Sequence, residues 1–445
     1  MDVRVNSGDP VLAPGTRRLL DRMLCAFSGL TESIGFVVGD RGDPRIAVAG
    51  GEMTGVHVLR GLPPPPPGAY HIGGSGMTYD EAVIRTLGET VERYTQYVAL
   101  AGNRHELAHD SVDGMARRNG RLLVPPELRW YRDDQLARPG FPFQRLRPDA
   151  AIGWIGAPSL HDGKLCWVPA QEALPGYVGR RDEEPRVTSG VTTGSAAHTQ
   201  VELALRNALL ELIQIDAAIG HWHGRPAAVP IRGGRRLHTL EAAIARRLPR
   251  SAPRPRLFWL PSADLPGFPV ACLVEAAKEP RVGIGLGCDL RLGAAAYKAF
   301  LEAVAVAQLA KVILFRQSLN GGTGIANGNI YDLDANVALY ASGAHAVLEE
   351  RFGDGRATSS DELPPDAERG PAGDLGHMVG GFRDAGKELV LLDLTTPDVR
   401  ELGFRALRVW SPDCLVLPLP SAPPLAHPRF EAYGGVVNEA PHPYP

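Results

Sequence analysis

The chain is poor in cysteine: its five (Cys25, Cys166, Cys272, Cys288, Cys414) are scattered over 445 residues, odd in number and without a Cys-x-x-Cys pair. That excludes a disulfide framework and a thiolate zinc site, and a reducing cytoplasm fits. Charge of one sign is also lacking, since 47 Lys+Arg against 50 Asp+Glu leave a formal charge of -3. A domain built on nucleic-acid backbone, or a polybasic membrane-surface protein, is thereby excluded. The N-terminal Met-Asp-Val-Arg-Val-Asn-Ser-Gly-Asp has no apolar core of a signal peptide, and the longest apolar stretch, Ala294–Phe315, is broken by Lys298, Glu302 and Lys311. It reads as a core helix rather than a membrane span. There is no repeat and no Gly-x-Ser-x-Gly elbow. Gly283-Ile-Gly-Leu-Gly287 lacks the full dinucleotide fingerprint and a phosphate-loop ending, so it implies tight packing. His221-Trp-His223 puts two imidazoles two residues apart near a helix end, where they do not face one way, which argues against zinc.

What the chain does have in excess is 51 Gly and 39 Pro, spread without a period, so many turns are expected. A short helix is predicted over Arg17–Phe27, with strands around Ile34–Val38 and Arg45–Ala49. The run Pro63–Pro67 forces an extended connector. Strand-like runs follow at Leu257–Leu260, Val270–Val274, Val282–Gly285, Leu389–Leu392 and Ala406–Val409, interleaved with helices, which makes the chain mixed α and β. A break is expected at Arg180–Arg186. Gly353–Asp374, with few apolar anchors, reads as a mobile surface loop.

Three helices carry polar stripes. Thr78-Tyr-Asp-Glu81 is a capping-box pattern that starts a helix running to about Leu100. Leu87, Val91, Tyr94 and Val98 fall on one face of it, and Arg85, Glu89, Glu92, Arg93 and Gln96 on the other. Those charges form either a solvated face with local ion pairs or a carboxylate pair for a hard cation. The second helix, Thr199–Ile219, is apolar around most of its circumference and therefore buried, apart from a narrow stripe of Gln200, Asn207, Glu211 and Gln214. Buried polar groups need partners, so this stripe is a hydrogen-bond network or a ligand site. On the third, Ala294–Phe315, Lys298 and Glu302 lie four apart, as an intrahelical ion pair or as part of an oxygen-only Mg²⁺ site.

Together these segments resemble the YcaO family from about Gly29 to Pro445. Thr86-Leu-Gly-Glu-Thr-Val-Glu-Arg-Tyr94 is similar to the family's first ATP-binding helix, which implies that Glu89, Glu92 and Arg93 serve Mg²⁺ and phosphate. Thr193-Gly-Ser-Ala-Ala197 with Ala208-Leu-Leu-Glu-Leu-Ile-Gln-Ile-Asp216 is similar to the second, which implies Glu211 and Gln214 in the metal site, with Asn207 added from the polar stripe. Ala299-Phe-Leu-Glu302 resembles the helix after the Gly-rich strand and brings Glu302 to the nucleotide. Pro441-His-Pro-Tyr-Pro445 is similar to the proline-rich terminus of azoline-forming members, which implies that the Pro445 carboxylate reaches the reaction centre as a base. The chain departs from the family pattern at Arg85, where Ser is frequent, and at Gln214-Ile215, where Glu-Arg is common.

The resemblance implies an α+β YcaO-type fold of mixed sheets and packed helices, with residues 1–68 as an N-terminal segment and connector and 69–445 as one large ATP-binding catalytic unit. It implies an ATP- and Mg²⁺-dependent cyclodehydratase. A Cys, Ser or Thr of a ribosomal precursor peptide attacks the preceding amide, ATP phosphorylates the amide oxygen, and a thiazoline or oxazoline results. Arg93 would stabilise the transferred phosphoryl group. The implied partners are the precursor peptide, a separate ThiF-like leader-binding protein and a flavin dehydrogenase that could oxidise the ring. A homodimer is allowed for, and no nucleic acid or membrane partner is expected. Two alternatives remain: a standalone enzyme making a thioamide or amidine, and a non-catalytic ATP-binding scaffold.

Overall fold

A computed structural model describes residues 12–444 except 26–28, 65–69, 101–104, 178, 180–182, 251, 253, 277, 320–328, 342–345 and 354. Four small sheets are wrapped around three long helices. The first sheet is the antiparallel meander β1 (Thr31–Phe36), β2 (Ala47–Met53) and β3 (His71–Gly76). The second joins β4 (Leu107–Asp110), β5 (Arg121–Leu122), β6 (Ile152–Pro158) and β7 (Leu165–Pro169) in the order β4-β6-β7-β5. In the third, β8 (Ser195–His198) pairs with β14 (Arg405–Trp410), which also pairs with β13 (Val390–Asp393). The fourth runs β12-β11-β10-β9, from Val282–Asp289, Phe268–Glu275, Arg256–Trp259 and Val229–Ile231. The longer helices are α1 (Pro14–Met23), α2 (Tyr79–Val98), α3 (Val201–His223), α4 (Arg235–Arg247), α5 (Leu292–Leu319), α6 (Leu333–Ala341) and α7 (Pro371–Asp384).

The predicted strands and polar-striped helices form within a few residues of the expected ends. The α2 start is the predicted cap: Thr78 Oγ1 accepts the Glu81 N–H at 3.2 Å, and Glu81 Oε2 accepts the Met77 N–H at 2.9 Å. Val83, Leu87, Val91, Tyr94 and Val98 bury the apolar face of α2 together with Met53, Ile72 and Met23. β2 is hydrogen-bonded to β3 from Ala47↔Gly76 to Glu52↔His71, so residues on both sides of the connector belong to one sheet and one core. Of the connector itself, Pro65 to Pro67 lie outside the described residues, as do Arg180, Arg181 and Asp182 of the predicted break.

Two expectations change. Gly353–Asp374 has more anchors than its composition suggests. Thr358 bridges Ile231, Ser360 is buried, and Asp361 accepts the Arg235 and Arg236 N–H groups at the start of α4. Asp374 is buried within α7, paired with Arg206 at 2.8 Å and Arg291 at 2.9 Å. The Lys298–Glu302 ion pair is absent, because Lys298 Nζ turns to Asp289 at 3.0 Å while Glu302 Oε2 accepts the Leu286 N–H at 2.8 Å.

Gly283, Gly285 and Gly287 of β12 do what the sequence suggested: they let α5 lie directly on the strand. A Cβ on Gly285 would sit 2.1 Å from the Ala303 nitrogen and 2.5 Å from the Ala299 oxygen, both immobile helix backbone. Contact this close sets the depth of α5, and so the position of Glu302. Gly285→Ala is expected to cost about 2–3 kcal/mol as the helix is forced off the strand. Gly293→Ala in the same helix, where an added Cβ meets nothing within 4 Å, should be neutral or stabilising by under about 1 kcal/mol. Thermal unfolding of the two variants checks this, and equal stability would contradict the packing.

Candidate active site

The site lies where α2, α3 and α5 meet beside the β8–β14 pair. Helical geometry sets the first carboxylates. Glu89, Glu92, Arg93 and Gln96 recur every three or four residues on the face of α2 opposite its buried stripe. Arg93 Nε donates to Glu89 Oε1 at 2.6 Å, so the local ion pair is real. The same face nonetheless opens onto other elements. Ser195 Oγ, at the start of β8, donates to Glu92 Oε1 at 2.8 Å and accepts from Gln96 Nε2. One side of Glu92 is thereby tied to the sheet.

Glu211 comes from α3, whose remaining surface is buried among Leu209, Leu210, Leu212 and Ile213. The backbone of Gly194, next to Ser195, lies near it and favours its charged form. Glu302 arrives from α5. Glu89 is the common neighbour, its charge acting on Glu92, Glu211 and Glu302. Burial is the main force on each of these three acids, and carboxylate repulsion adds to it. The Glu211 carboxyl is pushed up to about 8, that of Glu302 to about 7, and that of Glu92 well above the ordinary range. Burial works against the Arg93 charge, but Glu89 and Glu92 outweigh it and hold the guanidinium protonated.

Sequence-predicted residues therefore divide. Glu89, Glu92, Arg93, Glu211 and Glu302 are brought together. Asn207 and Gln214 lie one turn to either side of Glu211, partly buried, and make no hydrogen bond to the cluster among the described residues. Gln200 leaves the stripe, being the exposed N-cap of α3. His221 and His223 are buried and directed at separate backbone carbonyls, Pro261 and Asn438, so they form no metal pair. Pro445 lies outside the described residues. The segment before it is held rather than frayed: Trp222 Nε1 donates to the Ala440 oxygen at 2.8 Å and Asn336 Nδ2 to the His442 oxygen at 2.6 Å, and Tyr444 is buried against Ala218. Ala218 is two turns beyond Glu211 on the same face of α3.

Three residues of the site were not assigned from the sequence. Ser195 was legible only as part of a small-residue run. Glu172 accepts from Trp130 Nε1 at 3.0 Å, and burial raises its carboxyl to about 7. Arg408, from β14, is fully buried beside Glu211, Glu172 and Glu92. Burial lowers its guanidinium to about 10, which leaves it cationic at neutral pH. Its sequence signal was a lone charge inside the apolar strand Ala406-Leu-Arg-Val-Trp410.

The donor chemistry fits a hard cation carrying a polyanion. All the converging acids are oxygen donors whose mutual repulsion a divalent ion would relieve. Among the described residues, no three Asp, Glu, His or Cys side chains close into a finished metal cage. Mg²⁺ takes one or two carboxylates and fills its octahedron with water and phosphate oxygens.

Comparison with known proteins is consistent with this chemistry. A family model described as YcaO cyclodehydratase, ATP- and Mg²⁺-binding, matches residues 73–415. Among solved structures, a heterocyclase in complex with substrate and cofactor is similar over 96% of this chain at 16% identity and a TM-score of 0.69, and the match spans 57% of that protein's length. The YcaO protein of Methanopyrus kandleri, bound with AMPPCP and Mg²⁺, matches over 96% of this chain and 94% of its own, at 19% identity and TM-score 0.60. The E. coli microcin synthetase McbBCD complex contributes a chain matched over 94% of this one and 98% of its own, at 14% identity and TM-score 0.61. These likenesses carry the fold, and no curated protein matches the chain. No helix among the described residues is long and apolar enough to cross a membrane. With most of its length covered by the family model, the chain belongs to the YcaO family of ATP- and Mg²⁺-binding cyclodehydratase enzymes.

Proposed function

We propose that this protein is an ATP-dependent cyclodehydratase that converts Cys, Ser or Thr residues of a ribosomal precursor peptide to thiazolines or oxazolines. The observation that carries the reading is the convergence of Glu89, Glu92, Glu211 and Glu302, from three separate helices, on the face that also bears Arg93. A solvated surface would not concentrate four acids at the cost of raising three of them. ATP, when bound with Mg²⁺, supplies the phosphoryl group that makes the substrate's amide oxygen a leaving group.

The protein's own contribution is binding and orientation. Glu89, Glu92, Glu211 and Gln214 are the residues that would face the metal, which would take one or two of the carboxylates and complete its shell with water and phosphate oxygens, and Asn207 would lie beside the nucleotide. Ser195 and Gln96 fix the Glu92 carboxylate, so it needs little reorganisation when a cation arrives. Arg93, oriented by Glu89, presents its remaining N–H groups to negative charge developing on phosphate oxygens. Glu302 is aimed by the Leu286 N–H from the glycine-rich strand. The peptide is expected to be presented by a separate leader-binding protein.

Glu89→Gln and Glu211→Gln should each abolish peptide-dependent phosphate release, by about 100-fold or more, while leaving thermal unfolding in place. Wild-type turnover in both would sink the assignment. Product mass decides the reaction: loss of one water per residue supports ring formation, and oxygen-to-sulfur exchange refutes it.

The raised acids make a pH prediction. Glu211 and Glu302 hold their protons more tightly in the folded protein than an ordinary glutamic acid, which titrates at 4.5, does. Stability from their neutral forms is therefore complete below that value and is lost as pH rises through about 7 and 8. Glu211→Gln, which cannot ionise, should lose less thermal stability than wild type between about pH 5 and 8. Identical slopes would contradict the burial of Glu211.

A further inference from the structure

Among the described residues, Arg408 stands out as a buried charge with two unpartnered nitrogens. Its side chain is fully buried, and two of its three guanidinium nitrogens, Nε and Nη1, have no hydrogen-bond partner. Burying such a group is costly unless the surroundings compensate it. Only Nη2 is bonded, at 3.3 Å to the backbone oxygen of Glu172. Among the described residues no carboxylate makes a direct ion pair with it: Glu172, whose carboxylate accepts from Trp130, acts on its charge through space, as do Glu211 and Glu92.

Position does account for it. Arg408 is the cross-strand partner of Ser195, the residue that clasps Glu92. It thus stands behind the point where Glu92 from α2 and Glu211 from α3 meet, and both acids feel its charge. Arg93 approaches the same acids from the front, but one of its N–H groups is committed to Glu89 at 2.6 Å. Being fully buried, Arg408 cannot itself touch a nucleotide.

We infer that Arg408 is a built-in counter-cation of the carboxylate cluster, a positioning residue that acts on Glu211 and Glu92 through space in the ligand-free enzyme, without a hydrogen bond to either. This rests on the cofactor-site reading only in that those two acids are the ones proposed to meet Mg²⁺. The electrostatic role itself is measurable without ligand. When Arg408 is removed, the buried acids are left without their rear cation, and a divalent ion in front becomes correspondingly more valuable.

The test is thermal unfolding at about pH 9, where the Glu211 carboxyl (about 8) is ionised and the Arg408 guanidinium (about 10) is still charged, of Arg408→Met, Arg408→Lys and the double variant Arg408→Met/Glu211→Gln, with and without millimolar MgCl₂ as the only added ligand. Arg408→Met should melt lower than wild type by on the order of 5 °C. Arg408→Lys, which keeps the charge, should retain most of the wild-type melting temperature. Removing the opposing charge in the double variant should restore much of what Arg408→Met loses, and Mg²⁺ should raise Arg408→Met by more than it raises wild type. If Arg408→Met does not fold, recovery of a folded double variant supports the inference and failure of both overturns it. A double variant no better than Arg408→Met, or a lysine variant as weak as the methionine one, also overturns it. Wild-type protein that does not respond to Mg²⁺ with ATP would instead sink the cofactor site, while the ligand-free comparison would still decide the role of Arg408.

Discussion

Repulsion between carboxylates is the constraint around which this molecule is arranged. Glu89, Glu92, Glu211 and Glu302 sit close enough to act on one another in a partly buried space, an arrangement that a flexible chain would relax at once. It persists because the helices bearing them cannot retreat. α2 is seated by its apolar stripe on β2 and β3, α3 is buried around nearly its whole circumference, and α5 is locked on β12 by glycines that leave no room for a Cβ. Rigid packing confines the opposing charges.

The counterbalance is graded. Arg93 is half shared with Glu89, Ser195 and Gln96 steady Glu92, the backbone of Gly194 favours the charged form of Glu211, and the Leu286 N–H reaches Glu302. None of these neutralises the cluster. What remains is an excess of buried acid, and in the proposed function a divalent cation would balance it and a polyphosphate would follow. Two other buried charge groups are closely paired. Asp216 of α3 is bound by Arg429 at 2.6 Å and by the Tyr433 hydroxyl at 3.0 Å, and Arg206 is shared between Asp289 and Asp374. The contrast separates structural ion pairs from the unsatisfied site.

The Asp216–Arg429 pair also links that site to the end of the chain. It ties the middle of α3 to the residues that lead into the proline-rich tail, while Trp222, Asn336 and Tyr340 hold the carbonyls of Ala440, His442 and Pro441. Proline suits a segment fixed in this way, since its restricted φ lowers the entropy lost on ordering. The tail therefore runs along the helix that carries Glu211.

The sequence by itself determined the elements and the chemistry they carry. Periodicity placed Glu89, Glu92 and Arg93 on one face of α2 and Glu211 on the polar stripe of α3, because helical spacing is a local property. The glycines of β12 could be assigned to packing for the same reason, since only an absent side chain permits such approach. Tertiary structure alone decided which polar faces meet. Lys298 chose Asp289 over its helical neighbour Glu302, the stretch Gly353–Asp374 was fixed by partners far away in the chain, and Arg408 came to stand behind Glu211 through a strand pairing with Ser195. Those outcomes depend on long-range register and on the energetic cost of leaving a buried charge unpartnered, neither of which is written within any one segment.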